Sequence, residues 1–196
     1  MEYLRRILLR FLRLEHQARR NLLLPLFDAD NLVINMRQSG NAMGCGFSVD
    51  AFDWLIQQLG QRGEVLPPFV FGPNPVLTQY ATNFHRLGWY PIQCPVVFET
   101  KAGAQMSRKD TVDKTLIDFG TAMLPIFIRA GLTHLVLGSG DEDFVQFARW
   151  AIRLGLKLIV VAGSRKSLSA AGFLQKLACI EGGKRQVIFL DSFYDK

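Results

Sequence analysis

Histidine and cysteine are scarce in this 196-residue chain, and long apolar runs are absent. The three cysteines, Cys45, Cys94 and Cys179, are odd in number and show no CxxC spacing. That argues against a disulfide framework or a zinc site and for a reducing compartment. Of the three histidines, His16 and His85 fall in segments with helical patterning and His134 begins an apolar strand. None is placed to act as a general base. The run Leu22–Leu26 is far too short to cross a bilayer, and the arginines threaded through residues 1–20 do not make a secretory signal. A cytoplasmic protein is therefore expected. No internal repeat or linker divides the chain.

What is present is apolar and basic. An apolar content of 49% over this length suits one well-buried α/β domain rather than a disordered chain. The net charge is +6, from 23 Lys and Arg against 17 Asp and Glu. Setting aside a few acids for a site would leave the remaining surface more basic still, which suits a polyanionic partner.

Residues 1–21 carry Leu4, Leu8, Phe11 and Leu14 at spacings of three and four, with six arginines between and around them. This predicts a basic amphipathic helix, docked on the core, on a second copy of the chain as a homodimer, or on a nucleic-acid backbone. Residues 22–196 are expected to form a single domain. Leu22–Phe27 reads as a central buried strand, and 35–47 as a Gly-rich mobile loop. The pair Gly44 and Gly46 has the look of part of a dinucleotide fingerprint, but Val49 stands where the third Gly belongs.

Further along, Ser48 can cap a helix over 49–60. Strands are expected at 68–71 and, interrupted by Pro91 and Pro95, at 90–98, with a helix near 76–87 between them. A polar, basic loop should cover 100–108. A helix then runs from 110 to 124, where Pro125 should kink or end it. Strands at 133–137, 157–161 and 186–190 alternate with helices near 142–154 and 167–178. Such alternation implies a mostly parallel sheet with helices on both faces, in an order of about 3-2-1-4-5 counted along the chain.

Two stretches bring acids to predicted strand ends, where open parallel sheets place their ligands. One is Pro25-Leu-Phe-Asp-Ala-Asp-Asn-Leu32, the other Leu135-Val-Leu-Gly-Ser-Gly-Asp-Glu-Asp-Phe144. Ser139 and Glu142 have capping-box spacing, so the second cluster has a purely structural explanation of its own. On neighbouring strands, however, Asp28 and Asp141 would repel each other, and a divalent cation would remove that conflict. All-oxygen ligands select Mg²⁺ or Mn²⁺. Asp113 is the further candidate; Asp118 lies about 140° from it around a helix and cannot easily share the pocket.

Phe27-Asp-Ala-Asp-Asn-Leu32, the segment Lys109–Asp118, and Leu137-Gly-Ser-Gly-Asp-Glu-Asp-Phe144 resemble, in order, three motifs of the NYN family of PIN-like nucleases. The third is the most diagnostic, and the match spans about residues 22–190. The resemblance implies a three-layer PIN-like sandwich and a ribonuclease, most simply an endoribonuclease, dependent on Mg²⁺ or Mn²⁺. By position it assigns Asp28, Asp113, Asp141 and Asp143 as catalytic metal ligands, with Asn31 and Ser139 in support and single-stranded RNA as partner. Bound metal would activate water for attack on a phosphodiester. Arg37, Lys101, Arg108, Lys109 and Arg165 are candidates for tracking the RNA backbone. Ala29 and Thr111 depart from the family pattern without removing a ligand.

Two rivals stand beside that expectation. One is a PIN-like module that holds RNA or a protein partner without cutting. The other is a haloacid-dehalogenase-like phosphatase, because Phe27-Asp-Ala-Asp-Asn resembles its first motif, with Asp28 as nucleophile and Asp30 as general acid. Leu32 misses that motif's Thr or Val, and Val145 and Gln146 stand where a later acid is needed.

Overall fold

In a computed structural model of the chain, residues 21–42, 44, 48–100, 106–163, 172–178 and 186–194 are described, those at 96–100, 106–110, 174, 177 and 178 by their backbone alone. The expected basic helix at 1–21, apart from Asn21, lies outside these residues, as do Cys45, Cys179, Lys101 and Arg165.

Strand β1 (Leu22–Asp28) is buried along its whole length and lies at the centre of the sheet. It is followed by α1 (Ala29–Ala42), α2 (Asp50–Gly60), the two-residue β2 (Glu64–Val65) and β3 (Phe69–Gly72). Two short helices, α3 (Asn74–Gln79) and α4 (Ala81–Arg86), precede β4 (Tyr90–Gln93). A hairpin of β5 (Val96–Thr100) and β6 (Met106–Asp110) leads to α5 (Val112–Arg129). The rest comprises β7 (His134–Gly138), a 3-10 turn at Glu142–Phe144, α6 (Val145–Arg153), β8 (Lys157–Ala162), α7 (Phe173–Ala178), β9 (Gln186–Phe189) and a 3-10 turn at Leu190–Phe193.

The main sheet is parallel throughout, in the order β4-β3-β1-β7-β8-β9, with β2 pairing β1 beside β3. This is the α/β class expected from the sequence, with β9 added outside β8. Alternate residues of the strands feed two cores. Leu24, Leu26, Leu135, Leu137 and Val160 pack with α5 and α6, while Leu23, Phe27, Val136 and Ile159 pack with α1, α2 and α4. Because strand side chains alternate between faces, one continuous apolar run fills both layers. Pro25 sits in the middle of this central strand, an unusual place for a residue with no N–H. The ladder toward β2 and β3 is interrupted between Leu23 and Leu26, and Pro25 falls in that interruption.

Several local expectations are corrected. Residues 35–42 continue α1 instead of forming a Gly-rich loop, because Met36, Ser39 and Gly40 are buried on its inner face. Of the expected 100–108 loop, Thr100 ends β5 and 106–108 belong to β6, an antiparallel pair apart from the main sheet, while 101–105 lie outside the described residues. Helix α5 runs through Pro125 to Arg129, since Leu124 and Phe127 are buried on either side of the proline and hold the last turns against the sheet. The 76–87 helix is two helices that part at Tyr80. Among the described residues no helix is long and apolar enough to cross a membrane.

His134 is buried at the start of β7, with Nδ1 2.8 Å from the Thr133 hydroxyl. Burial, with the charge of Lys157 close by, holds its pKa below the ordinary 6.5. The unfolded chain therefore takes up a proton more readily than the folded one. Stability should be full above about pH 6.5 and fall as the pH drops through that value toward the lower folded pKa. The urea midpoint of the wild type should decline between about pH 7 and pH 5, and His134→Gln should flatten that decline.

Candidate functional site

Going from β1 toward β3 the sheet grows one way, and from β7 toward β8 it grows the other. The carboxyl ends of β1 and β7 thus form the switch point of the sheet, where open α/β sheets leave a crevice. A cleft of about 470 Å³ lies there, lined by Asn31, Asn35, Gly140, Asp141, Glu142, Ala162 and Gly163. It joins the first turns of α1, the β7–α6 connection and the end of β8.

The two strand-end aspartates have local duties. Asp28 is 7% exposed, and its Oδ1 accepts the Asn31 backbone N–H at 3.0 Å, capping α1. Asp141, exposed and with extended backbone, accepts the Asp143 N–H at 3.1 Å and so caps the 3-10 turn. Each carboxylate satisfies amide groups left open at the start of its own helical segment, and the helix dipole favours it there. Capping thus accounts for Asp28 and Asp141, one acid at each helical start.

Ser139 joins the two halves. It is 1% exposed, and its Oγ accepts from Asn31 Nδ2 at 2.9 Å and from the Asp141 N–H at 3.2 Å. Asn35, one turn further along α1, donates Nδ2 to Asn31 Oδ1. The carboxamides of Asn31 and Asn35 are therefore fixed in orientation on one wall. The capping box expected between Ser139 and Glu142 does not form. Glu142 is instead paired with Lys176 on α7.

The expected four-aspartate metal centre is overturned by this arrangement. Among the described residues, no three His, Cys, Asp or Glu side chains come together as a cation would require. Asp113 sits half-buried in the first turn of α5 and Asp143 is exposed beyond the Asp141 cap. The four aspartates do not meet in one centre among the described residues, so the expected metal-dependent ribonuclease site built on all of them is not formed. Asp118 is exposed on α5, away from the cleft lining.

Of the cations considered for an RNA backbone, Arg37 is exposed on α1. It donates to the Tyr80 hydroxyl at 2.6 Å, with its guanidinium 5.9 Å from that ring's centre. Arg108 and Lys109 belong to β6. Phe144 is fully buried, and Trp89 packs against Phe27, Phe52 and Phe84, so neither offers a stacking face.

Asn35, Glu142 and Gly163 are lining residues that sequence reasoning passed over. Asn35 was within reach, since it follows Asn31 by four and shares its helix face. Gly163 is required where it stands, because a Cβ there would lie 2.3 Å from the Asn35 side chain.

No protein-family model matches the chain. No curated protein matches it either. Among solved structures it is similar to an isochorismatase-like hydrolase from Alkaliphilus metalliredigens. The two share 11% identity at a TM-score of 0.38, over 90% of this chain and 98% of that one. A likeness at that level bears on neither activity nor substrate.

Proposed function

We propose that this chain is a PIN-like domain of the NYN kind that holds single-stranded RNA, with one nucleotide unit seated in the switch-point cleft. The position and lining of that cleft carry the reading. Its volume of about 470 Å³ is of the size that admits a nucleoside-sized group. Asn31 and Asn35 offer carboxamides that both donate and accept, which suits base edges. Asp141 offers an acceptor to a ribose hydroxyl, the group by which RNA differs from DNA. Two carboxylates would repel a phosphate in the cleft itself, so the backbone would run outside it, toward basic surface. The motif resemblance and the net charge of +6 support the same partner. A cytoplasmic setting, and self-association through residues 1–21, belong to this reading as well.

Fluorescence anisotropy of labelled single-stranded RNA and DNA of matched sequence tests it. RNA is expected to bind in EDTA as well as in Mg²⁺ or Mn²⁺, and about tenfold more tightly than DNA, the worth of one good hydrogen bond to the 2′-hydroxyl. Asn35→Leu, which removes the donor and fills the cleft, should weaken RNA binding by about 5- to 30-fold. No measurable RNA binding, or equal binding by the Asn35→Leu variant, would sink the proposal.

A further inference from the structure

We infer that Lys176 is the phosphate-recognising residue of this cleft, parked on Glu142 in the free protein and transferred to the RNA backbone on binding. The inference rests on the RNA reading above and adds to it the group that reads the phosphate. Glu142 lines the cleft, and its Oε2 accepts from the Lys176 ammonium, which places that cation at the cleft rim. The backbone carrying Lys176 is tied down: its carbonyl accepts from Arg149 Nη2 on α6 at 3.0 Å. Gly172 begins the same segment with φ +66°, and a Cβ there would stand 3.2 Å from Glu142 Oε1. Absence of a side chain at 172 lets α7 close on the cleft's acidic wall.

The side chains themselves are free to part. Lys176 and Glu142 are 52% and 42% exposed, and an ion pair in that setting contributes little to stability. An ammonium that leaves a monovalent carboxylate for a phosphate exchanges one charge-assisted bond for another at small net cost. The guanidinium of Arg149, whose Nε is buried without a hydrogen-bond partner, adds positive charge on the same side. Among the described residues, the rim of the cleft thus carries positive charge on the α7 side.

A phosphate contact has a signature that a structural ion pair lacks. RNA affinity measured between roughly 50 and 200 mM salt gives a log–log slope that drops by about 0.7 for each single-strand phosphate contact removed. Lys176→Gln should lower the slope by about that amount, and Lys176→Arg should keep it. Lys157→Gln, at the opposite end of β8, should leave it unchanged. Glu142→Gln, which frees the ammonium, should tighten binding about two- to fivefold at low salt. If the wild type binds RNA but Lys176→Gln keeps the full slope, or Glu142→Gln weakens binding, the inference fails while the RNA reading stands. If the wild type binds no RNA, both fail together.

Discussion

Replacing Gly138 by alanine is expected to destabilise the protein by about 2–3 kcal/mol and to lower its melting temperature by on the order of 5–10 °C. Gly138 is the last residue of β7 and pairs in register with Phe27 of β1, the two central strands of the sheet. A Cβ at 138 would lie 2.2 Å from Cδ1 of the Phe27 ring, and that ring is fully buried. It cannot turn aside freely, because it packs against Trp89 with ring centres 5.2 Å apart. The extra methyl must therefore push either the ring or the strand, and close-packed interiors resist both. A double-mutant cycle separates this cause from a general intolerance of β7. With Phe27→Leu in the background, the added cost of Gly138→Ala should shrink by about 1 kcal/mol or more. Additive costs would show that the ring is not what excludes a side chain at 138.

The second large effect is expected at Ser139. Its hydroxyl is the shared acceptor for the Asn31 carboxamide and the Asp141 amide, and at 1% exposure water has no room to replace it. Ser139→Ala leaves both donors unsatisfied, which should cost about 2 kcal/mol. Because those donors carry two walls of the cleft, RNA affinity should also fall, by about tenfold. In an Asn31→Ala background one of the orphaned donors is already gone, so the same substitution should cost less. A change in urea midpoint equivalent to under about 0.5 kcal/mol would rule out the pin.

Much of the architecture was legible because period-2 and 3.6-residue patterns follow directly from burial. The apolar run at 22–27, the strand expected at 133–137 and the acids beyond each strand pointed to the crevice found between β1 and β7. Tertiary contacts overrode local cues at three places. Residues 35–42 look loop-like for their Ser, Gly and Asn, yet they are helical because one face is buried. Pro125 removes one helical N–H, but the burial of Leu124 and Phe127 outweighs that loss. Residues 106–110 look solvated, and their partner across the hairpin makes them a strand.

The acids show the same division more sharply. Their residue types and their positions at strand ends were written in the sequence, and so was the resemblance that suggested a metal among them. Whether they converge was not, because convergence depends on ångström-scale directions set by packing of α1, α5 and the β7–α6 turn. Within the described residues Asp28 and Asp141 cap their own helical segments, no three acids converge, and Ser139 links the two strand ends through Asn31. Sequence alone determined a parallel α/β sheet with its crevice at the switch point, because strand alternation and chain order fix both. Only the tertiary structure decided what lines the crevice, because Asn35, Gly163 and the Glu142–Lys176 pair meet through contacts between segments far apart in the chain.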